Sequence, residues 1–401
     1  MNPVLNPFAP GAGSRPPALT GRDEILEQAT IALQRVAAHR HAKSQMLLGL
    51  RGVGKTVLLT RIAEIAEDNT YITAVIEAPE NRSLAELLVP KLRRILVTLN
   101  RNENARELAR KAASALQSFA SVFKINYGGL DLGVRPPDHA AATGDLETDL
   151  PDLILAVADA ARAGASPVVI LIDEVQYLKQ SDLAALIVSL HRVAQKGLPL
   201  VFFGAGLPQL AGFAGEAKSY AERLFSFPIV GPLSPEAANK AVRDPVNAAG
   251  ADISDKALQA IAARTKGYPY FLQEWAYHSW NTAPASPITD KDVRAATATA
   301  IEALDTSFFR VRLDRLTPRE QDYLRAMATL GPGPHRSGDI AAALGIDVSI
   351  AAPLRTGLIH KGMIWSPAHG QTAFTVPMFD DFMVRAMPTW EPLPTRKRKR
   401  S

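Results

Sequence analysis

The sequence predicts an α/β protein: a three-layer α/β/α domain, then a helical region, then a winged helix-turn-helix domain. Three observations predict this architecture. Short apolar runs alternate with helix-length segments up to about residue 233, as in a doubly wound parallel sheet. The run from Val168 to Ile172 is apolar on both faces, which is typical of a strand covered by helices on both sides. After about residue 234 the strand-like runs stop.

Hydrophobic periodicity assigns the elements of the α/β domain in chain order. It predicts strands at 46–48, 71–78, 167–173, 198–203 and 225–230. It predicts helices at 23–39, 57–66, 82–99, 103–121, 151–163, 181–195 and near 208–223. Between them, residues 123–134 alternate around a Gly-Gly pair and indicate a β-hairpin. This hairpin is equally consistent with a partner contact and with packing on its own domain.

The second half of the chain has a different rhythm. Helical segments at 235–247, 254–264, 269–282 and 289–304 predict an all-helical lid. The final segment predicts the elements of a winged helix. These are three helices at 318–330, 337–344 and 348–361 and a β-hairpin at 363–376 that turns at Gly370. The expected domains are a lead-in at 1–18, an α/β core at 19–233 with an insertion at 100–150, a lid at 234–310, a winged helix at 311–388 and a basic tail at 389–401.

Composition excludes several classes of protein. Hydrophobic residues make up 47% and charged residues 21% of the 401 residues, which excludes a largely disordered chain or a coiled-coil rod. The absence of cysteine excludes disulfides, thiolate metal sites and cysteine nucleophiles. No apolar run approaches the roughly 18 residues that span a bilayer, and the N-terminus lacks a secretory pattern. We therefore expect a cytoplasmic protein without a membrane partner.

The formal net charge of +5 comes from the tail. The 45 basic residues outnumber the 40 acidic residues by five, and five basic residues stand together near the C-terminus: Arg396, Lys397, Arg398, Lys399 and Arg400. Without them, 40 positive charges balance 40 negative ones. The tail is a candidate contact for DNA or another polyanion, although a solvated tail explains it as well.

A complete G-x-x-x-x-G-K-T motif runs from Gly49 to Thr56, between a predicted strand and a predicted helix. Its glycines let successive backbone N–H groups curl around phosphate oxygens, and the helix adds its positive dipole end. Lys55 is expected to reach the β- and γ-phosphates of ATP, and the Thr56 hydroxyl to ligate Mg²⁺. The predicted nucleotide contacts of this loop are Gly49, Gly52, Val53, Gly54, Lys55, Thr56 and Val57.

An acidic pair, Asp173-Glu174, ends the apolar strand at 167–173. An aspartate in this position can hold Mg²⁺ through water, and the next glutamate can orient or deprotonate an attacking water. Joined to the glycine loop, the pair predicts Asp173 as a metal residue and Glu174 as the catalytic base.

These motifs together resemble AAA+ P-loop ATPases of the initiator (origin-recognition-like) and archaeal-type branch, over residues 19–385. The Leu-Thr-Gly-Arg-Asp motif that starts at Leu19 is similar to the N-terminal motif of that branch, which implies that Gly21 and Arg22 lie beside adenine. Gly267-Tyr-Pro269 is similar to a Gly-x-Pro motif of the helical lid, which implies that Pro269 touches the base. The resemblance implies ATP and Mg²⁺ as cofactors and a homo-oligomeric assembly.

Two departures from the family bear on catalysis. The first sensor of the family is a polar residue that ends the fourth strand, but residues 203–208 contain no Asn, Ser or Thr. The position of a second sensor arginine in the lid carries Tyr268 to Tyr270. Because each sensor stabilises charge that develops in the transition state, their absence predicts ATP binding with slow hydrolysis.

Arg223 precedes the last strand of the core, a position similar to that of the arginine finger that AAA+ proteins offer to a neighbouring subunit. Such a finger would make hydrolysis depend on assembly. An ordinary ion pair with Glu222 or Glu216 is the alternative.

The winged segment indicates DNA contact or, equally, protein and intramolecular contacts. Its presumed reading helix offers only Arg355, His360 and Lys361 as candidate cations, and DNA affinity depends largely on neutralised phosphates. We therefore predict an ATPase that couples Mg-ATP binding and slow hydrolysis to oligomer assembly or DNA engagement. The alternative is a nucleotide-switched signalling ATPase whose winged helix contacts protein, with little hydrolysis and no DNA binding.

Overall fold

A computed structural model describes residues 1–11, 16–125 and 142–393. The chain divides into two compact units, which we treat separately. The core unit consists of Arg22–Gly49 and Gly54–Val230. The C-terminal unit consists of Met1–Gly21, the short segment Leu50–Val53 and the chain from Gly231 onward. Residues 126–134 of the predicted hairpin lie outside the described residues, and so do residues 394–401 of the tail, which include its five basic residues.

The core unit is built on a five-stranded parallel sheet with the strand order β2-β3-β4-β1-β5. Its strands are β1 (Ser44–Leu48), β2 (Ile72–Glu77), β3 (Val168–Asp173), β4 (Leu200–Gly206) and β5 (Phe225–Ser226). Every residue of β3 is buried, as its two apolar faces predict. Because all strands are parallel, the carboxyl ends of β1, β3 and β4 meet at one edge of the sheet, where ligands bind in open α/β sheets.

Eight helices of the core unit flank this sheet in the described part of the chain. They are α1 (Asp23–Ala37), α2 (Lys55–Asp68), α3 (Leu84–Asn100), α4 (Arg106–Val122), α5 (Leu146–Ala163), α6 (Gln180–Gln195), α7 (Leu210–Ala217) and α8 (Ala221–Leu224). The α/β/α class predicted from the sequence is confirmed, with several local differences. The last strand, predicted at 225–230, is only two residues long, Phe225–Ser226.

Another difference concerns the start of α5, which begins five residues before the predicted 151. The carboxylate of Asp149 accepts the backbone N–H groups of Thr143 and Gly144 at 2.9 and 2.8 Å, and this closes the turn ahead of the helix. A third difference concerns the segment near 208–223, which forms two short helices, α7 and α8, rather than one. β4 also continues to Gly206, three residues beyond its predicted end.

The C-terminal unit contains four lid helices: α9 (Pro235–Ala248), α10 (Asp255–Thr265), α11 (Pro269–Thr282) and α12 (Asp290–Ala303). A π-helical turn (Leu304–Phe309) and α13 (Arg310–Leu313) follow. The aromatic residues of α11 form part of the core, since Phe271, Trp275 and Trp280 are buried. In the same unit, the N-terminal segment contacts α11 through Trp280 Nε1, which donates to the carbonyl of Asn2 at 2.9 Å.

The last part of this unit combines helices with a small antiparallel sheet of order β6-β8-β7, an arrangement compatible with a winged helix. Its elements are α14 (Pro318–Thr329), β6 (His335–Arg336), α15 (Ser337–Ala343), α16 (Val348–His360), β7 (Ile364–Trp365), β8 (Gln371–Phe374) and α17 (Phe379–Ala386). Among the described residues no single helix is long and apolar enough to cross a bilayer; α15 and α16 reach that length only as a pair bent by 109°.

Candidate nucleotide site

The glycine loop joins β1 to α2. Gly54 precedes the first residue of α2 and has a φ of +91°, a left-handed conformation that side chains rarely adopt. The helix begins at Lys55, which is buried, and the Lys55 Nζ donates a hydrogen bond to the Gly49 carbonyl at 2.9 Å. The lysine therefore curls back over the start of its own loop, and its charge lies where anionic phosphates would bind.

Thr56 and Asp173 meet at the carboxyl edge of the sheet. The Thr56 hydroxyl donates to Asp173 Oδ2 at 2.5 Å, so α2 and the end of β3 bring two oxygen ligands together. Burial raises the pKa of Asp173, and the nearby charge of Glu174 adds to this, while the hydrogen bond from Thr56 and the charge of Lys55 oppose it. Two hard oxygen donors side by side fit Mg²⁺, which prefers such ligands.

Glu174 has an unusual backbone conformation for a residue with a side chain. Its φ of +54° is left-handed, and a short 3₁₀ turn (Val175–Tyr177) follows it. Its N–H donates to Asp173 Oδ1 at 2.8 Å. The strand thus ends in a sharp turn at Glu174. Strained backbone of this kind persists where the surroundings hold it, often at functional sites.

Gln176 is a site residue that sequence reasoning missed. Its Nε2 donates to Glu174 Oε2, and its Oε1 accepts the backbone N–H of Leu207 at 3.1 Å, just past the end of β4. In the sequence, Gln176 is only a polar residue two positions after Glu174. Nothing local indicates that it reaches a neighbouring strand.

The tip of the glycine loop, Leu50–Val53, groups with the C-terminal unit. The N–H of Arg51 donates to the carbonyl of Thr375 at 3.0 Å, and the N–H of Tyr270 donates to the carbonyl of Gly52 at 3.2 Å. A Cβ at Gly52 would lie 3.3 Å from the Cβ of Tyr270, at a φ of +79°. Within this unit the loop tip therefore touches both the start of α11 and the end of β8.

One glycine of each motif that the resemblance places beside adenine, Gly21 and Gly267, lies against residues 233–237 within the C-terminal unit. A Cβ at Gly21 would lie 2.7 Å from the Cβ of Ala237, and one at Gly267 would lie 2.5 Å from the carbonyl oxygen of Leu233. The Leu233 N–H donates to the Gly267 carbonyl at 2.8 Å, just before Pro269 begins α11. Arg22 belongs to the core unit and is buried, and that burial lowers the pKa of its guanidinium.

Arg223 lies on the short helix α8 and is exposed. Within the described part of the chain it makes no ion pair, so the predicted alternative of a salt bridge with Glu222 or Glu216 is not formed there. Its side chain is open to solvent.

Two of the three candidate cations of the winged segment, Arg355 and Lys361, are engaged within their own domain, while His360 is exposed. Arg355 donates to Thr372 Oγ1 and Ser366 Oγ, both at 2.9 Å, and to the carbonyl of Gln371 at 3.1 Å. Lys361 pairs with Glu320 at 2.7 Å. On the same helix, Val348 and Ile350 are 48% and 51% exposed. The helix predicted to read DNA thus offers few free charges and an apolar start.

A parallel sheet with a strand–glycine loop–helix unit and an Asp-Glu pair on a second strand defines a P-loop nucleotide-binding protein. Residues 18–203 match the family model described as "AAA ATPase domain", and residues 306–383 match a "Domain of unknown function (DUF8462)". Residues 18–203 are therefore similar to AAA ATPase domains, and the resemblance to AAA+ ATPases predicted from the sequence is confirmed. Among curated proteins, no relative matches the sequence.

Solved structures extend the comparison to nearly the whole chain. A Walker-type ATPase of Pyrococcus abyssi is 19% identical, with a TM-score of 0.52, and the match covers 91% of this chain and 96% of that one. This likeness shows the fold. Cdc6p from Pyrobaculum aerophilum (14% identical, TM-score 0.47, covering 97% and 98%) and the Orc1 protein of Aeropyrum pernix in complex with DNA (14%, 0.46, covering 95% of each chain) are more distant.

Proposed function

We propose that this protein binds Mg-ATP and hydrolyses it slowly, and that its nucleotide state controls the lid and the winged segment. The observation that carries this proposal is the pair of hydrogen bonds at the loop tip, from Arg51 to Thr375 and from Tyr270 to Gly52. The tip of a phosphate-binding loop is bonded to the start of a lid helix and to Thr375, the residue that follows β8 in the winged segment. Phosphates that reshape this loop would act directly on both elements.

The roles of the site residues follow from their positions. Lys55 and the backbone of residues 52–57 would bind the phosphates, Thr56 and Asp173 would hold Mg²⁺, and Glu174 would activate water. When bound, Mg²⁺ neutralises charge on the phosphates. Gly21, Arg22 and Pro269 would border the base, as the resemblance implies. We retain the division into a core at 19–233, a lid at 234–310 and a winged helix at 311–388 as part of the proposal.

The coupling can be tested at Arg51 with a matched pair of variants. Arg51→Pro removes the N–H that bonds to Thr375, whereas Arg51→Ala keeps it and removes only the side chain. One hydrogen bond contributes about 1 kcal/mol. Arg51→Pro should therefore shift, roughly fivefold, the equilibrium between a winged segment that is bonded to the loop tip and one that is released from it. Limited proteolysis and hydrogen exchange of residues 363–376, with and without ATP, measure that balance.

Arg51→Ala should behave as the wild type in this comparison. If Arg51→Pro leaves protection of the winged segment unchanged in both nucleotide states, the bond to Thr375 plays no part in the response to ATP. If both variants lose protection of the winged segment equally, the Arg51 guanidinium and not its N–H is responsible for the response.

Arg223 is the proposed link between assembly and turnover. It is exposed on α8, and an arginine offered to a neighbouring active site is worth roughly 10³-fold or more in rate in related phosphoryl-transfer systems. We expect the ATPase rate per subunit to rise with protein concentration, and Arg223→Ala to remove this rise while ATP affinity stays unchanged. Steady-state hydrolysis at several protein concentrations, with and without duplex DNA, measures both effects. Arg243→Ala, which alters an ion pair on α9, is the control.

A flat rate near zero despite tight ATP binding would favour the second candidate, a nucleotide-switched signalling ATPase. The specific observation in its favour is the winged segment itself. Arg355 and Lys361 are bonded within their own domain, while Val348 and Ile350 are exposed. Both features suit protein contacts better than phosphate contacts. If DNA still stimulates ATP hydrolysis after deletion of residues 389–401, DNA contact by the winged segment would be favoured instead.

A further inference from the structure

A polar connection spans the place where the sequence lacks a sensor residue. β4 ends in Gly204-Ala205-Gly206, without a polar side chain, but Gln176 reaches this end from the turn after β3. Its Oε1 accepts the N–H of Leu207 at 3.1 Å, and its Nε2 donates to Glu174 Oε2. A single side chain thus joins the proposed catalytic base to the neighbouring strand.

The orientation of the Gln176 amide is determined by its partners. A backbone N–H can only donate, so the atom that faces Leu207 must be the oxygen. The nitrogen then faces Glu174, whose carboxylate accepts. An inverted amide would set a donor against a donor at Leu207 and an acceptor against a carboxylate at Glu174. Both bonds therefore select the same arrangement.

Gly206 makes room for this connection. A Cβ at position 206 would lie 2.7 Å from Gln176 Oε1 and 2.9 Å from Leu210 Cδ2, distances that real Cβ atoms do not adopt. Any residue other than glycine would displace the Gln176 amide and the end of the Leu210 side chain. The Gln176 amide can thus reach the end of β4 only because position 206 carries no side chain.

We propose that Gln176 is a positioning residue for Glu174: it holds the carboxylate against the end of β4 in the geometry needed to activate water. The inference rests on the proposed ATP hydrolysis. Glu174 stands on a left-handed backbone turn, and its carboxylate accepts a hydrogen bond from the Gln176 amide at Oε2. A displacement of about 1 Å of such a group can reduce a rate by about 100-fold.

Two substitutions separate the two bonds of Gln176. Gln176→Met keeps the length of the side chain and loses both hydrogen bonds. Gln176→Glu still accepts from Leu207 but cannot donate to Glu174, and it adds a like charge beside it. If Gln176 has a purely structural role, Gln176→Glu should reduce turnover less than Gln176→Met does. A positioning role predicts that both variants lose turnover, and the glutamate variant at least as much.

The experiment combines single-turnover ATP hydrolysis, a direct titration with ATP, and thermal unfolding of the full chain. We expect both variants to lower the hydrolysis rate constant by about 10- to 100-fold while the Kd for ATP changes by less than about threefold. Gln180→Met and Gln180→Glu, on the exposed first residue of α6, are the matched controls and should match the wild type. Gly206→Ala should reduce turnover in the wild type and much less in the Gln176→Met background, since the two changes break the same connection.

Rate constants within about twofold of wild type in both Gln176 variants would overturn the inference and leave ATP hydrolysis itself intact. A parallel loss of ATP affinity and melting temperature in both variants would also overturn it, because the role would then be structural. If the wild type binds no ATP, the proposed function fails first, and the titration reveals this before any rate is compared.

Discussion

Lys55→Ala should abolish detectable ATP binding. The Lys55 Nζ is buried over the phosphate loop and bonded to the Gly49 carbonyl at 2.9 Å, so its charge is screened little by water. Removing one partner of a buried charged contact costs about 3 kcal/mol or more, which corresponds to at least roughly a 100-fold weaker affinity. Hydrolysis at any practical ATP concentration should disappear with it.

Titration of a fluorescent ATP analogue measures this loss. Lys55→Met preserves most of the buried stem and should lose affinity to a similar degree, which separates the charge from packing. Lys196→Ala, at an exposed lysine after α6, is the control for removal of one positive charge. Unchanged binding in both Lys55 variants, with intact thermal unfolding, would end the assignment of this loop to nucleotide.

The parts of the site that depend on local sequence could be predicted from the order of the residues alone. The glycine loop must lie between a strand and a helix because its spacing and flanking periodicity require it, and α2 begins at Lys55, two residues before its predicted start. β3 is buried over its whole length because both of its faces are apolar. Parallel strands then bring Asp173 to the edge where Thr56 lies, and the two side chains meet at 2.5 Å.

The parts that depend on distant residues could not be predicted in this way. Arg51 bonds to Thr375, more than three hundred positions later, through backbone atoms that carry no sequence signal. Gln176 reaches Leu207 only because β3 and β4 are neighbours and because Gly206 leaves space. Arg355 appears in the sequence as a free cation, but the fold of the wing surrounds it with acceptors. Long-range packing decides each of these contacts.

Glu174→Gln should separate ATP binding from ATP hydrolysis. The substitution removes the proton acceptor while it keeps the size of the side chain, and the new amide oxygen can still accept from Gln176 Nε2. Loss of a general base typically costs 10²- to 10⁴-fold in rate, so we expect at least about a 100-fold decrease in single-turnover hydrolysis. The Kd for ATP should remain close to that of the wild type, because the proposed phosphate contacts of Lys55 are untouched.

Glu103→Gln, at an exposed glutamate between α3 and α4, is the control that removes a negative charge away from the site. A wild-type rate in Glu174→Gln would place the base elsewhere, and Glu77, which pairs in register with Asp173 at the end of β2, would be tested next.

The expected result has a further consequence. Glu174→Gln should accumulate the ATP-bound state, so any assembly or release of the winged segment that ATP induces should persist in this variant and decay in the wild type. Decay at the same rate in both would mean that hydrolysis does not reset the switch.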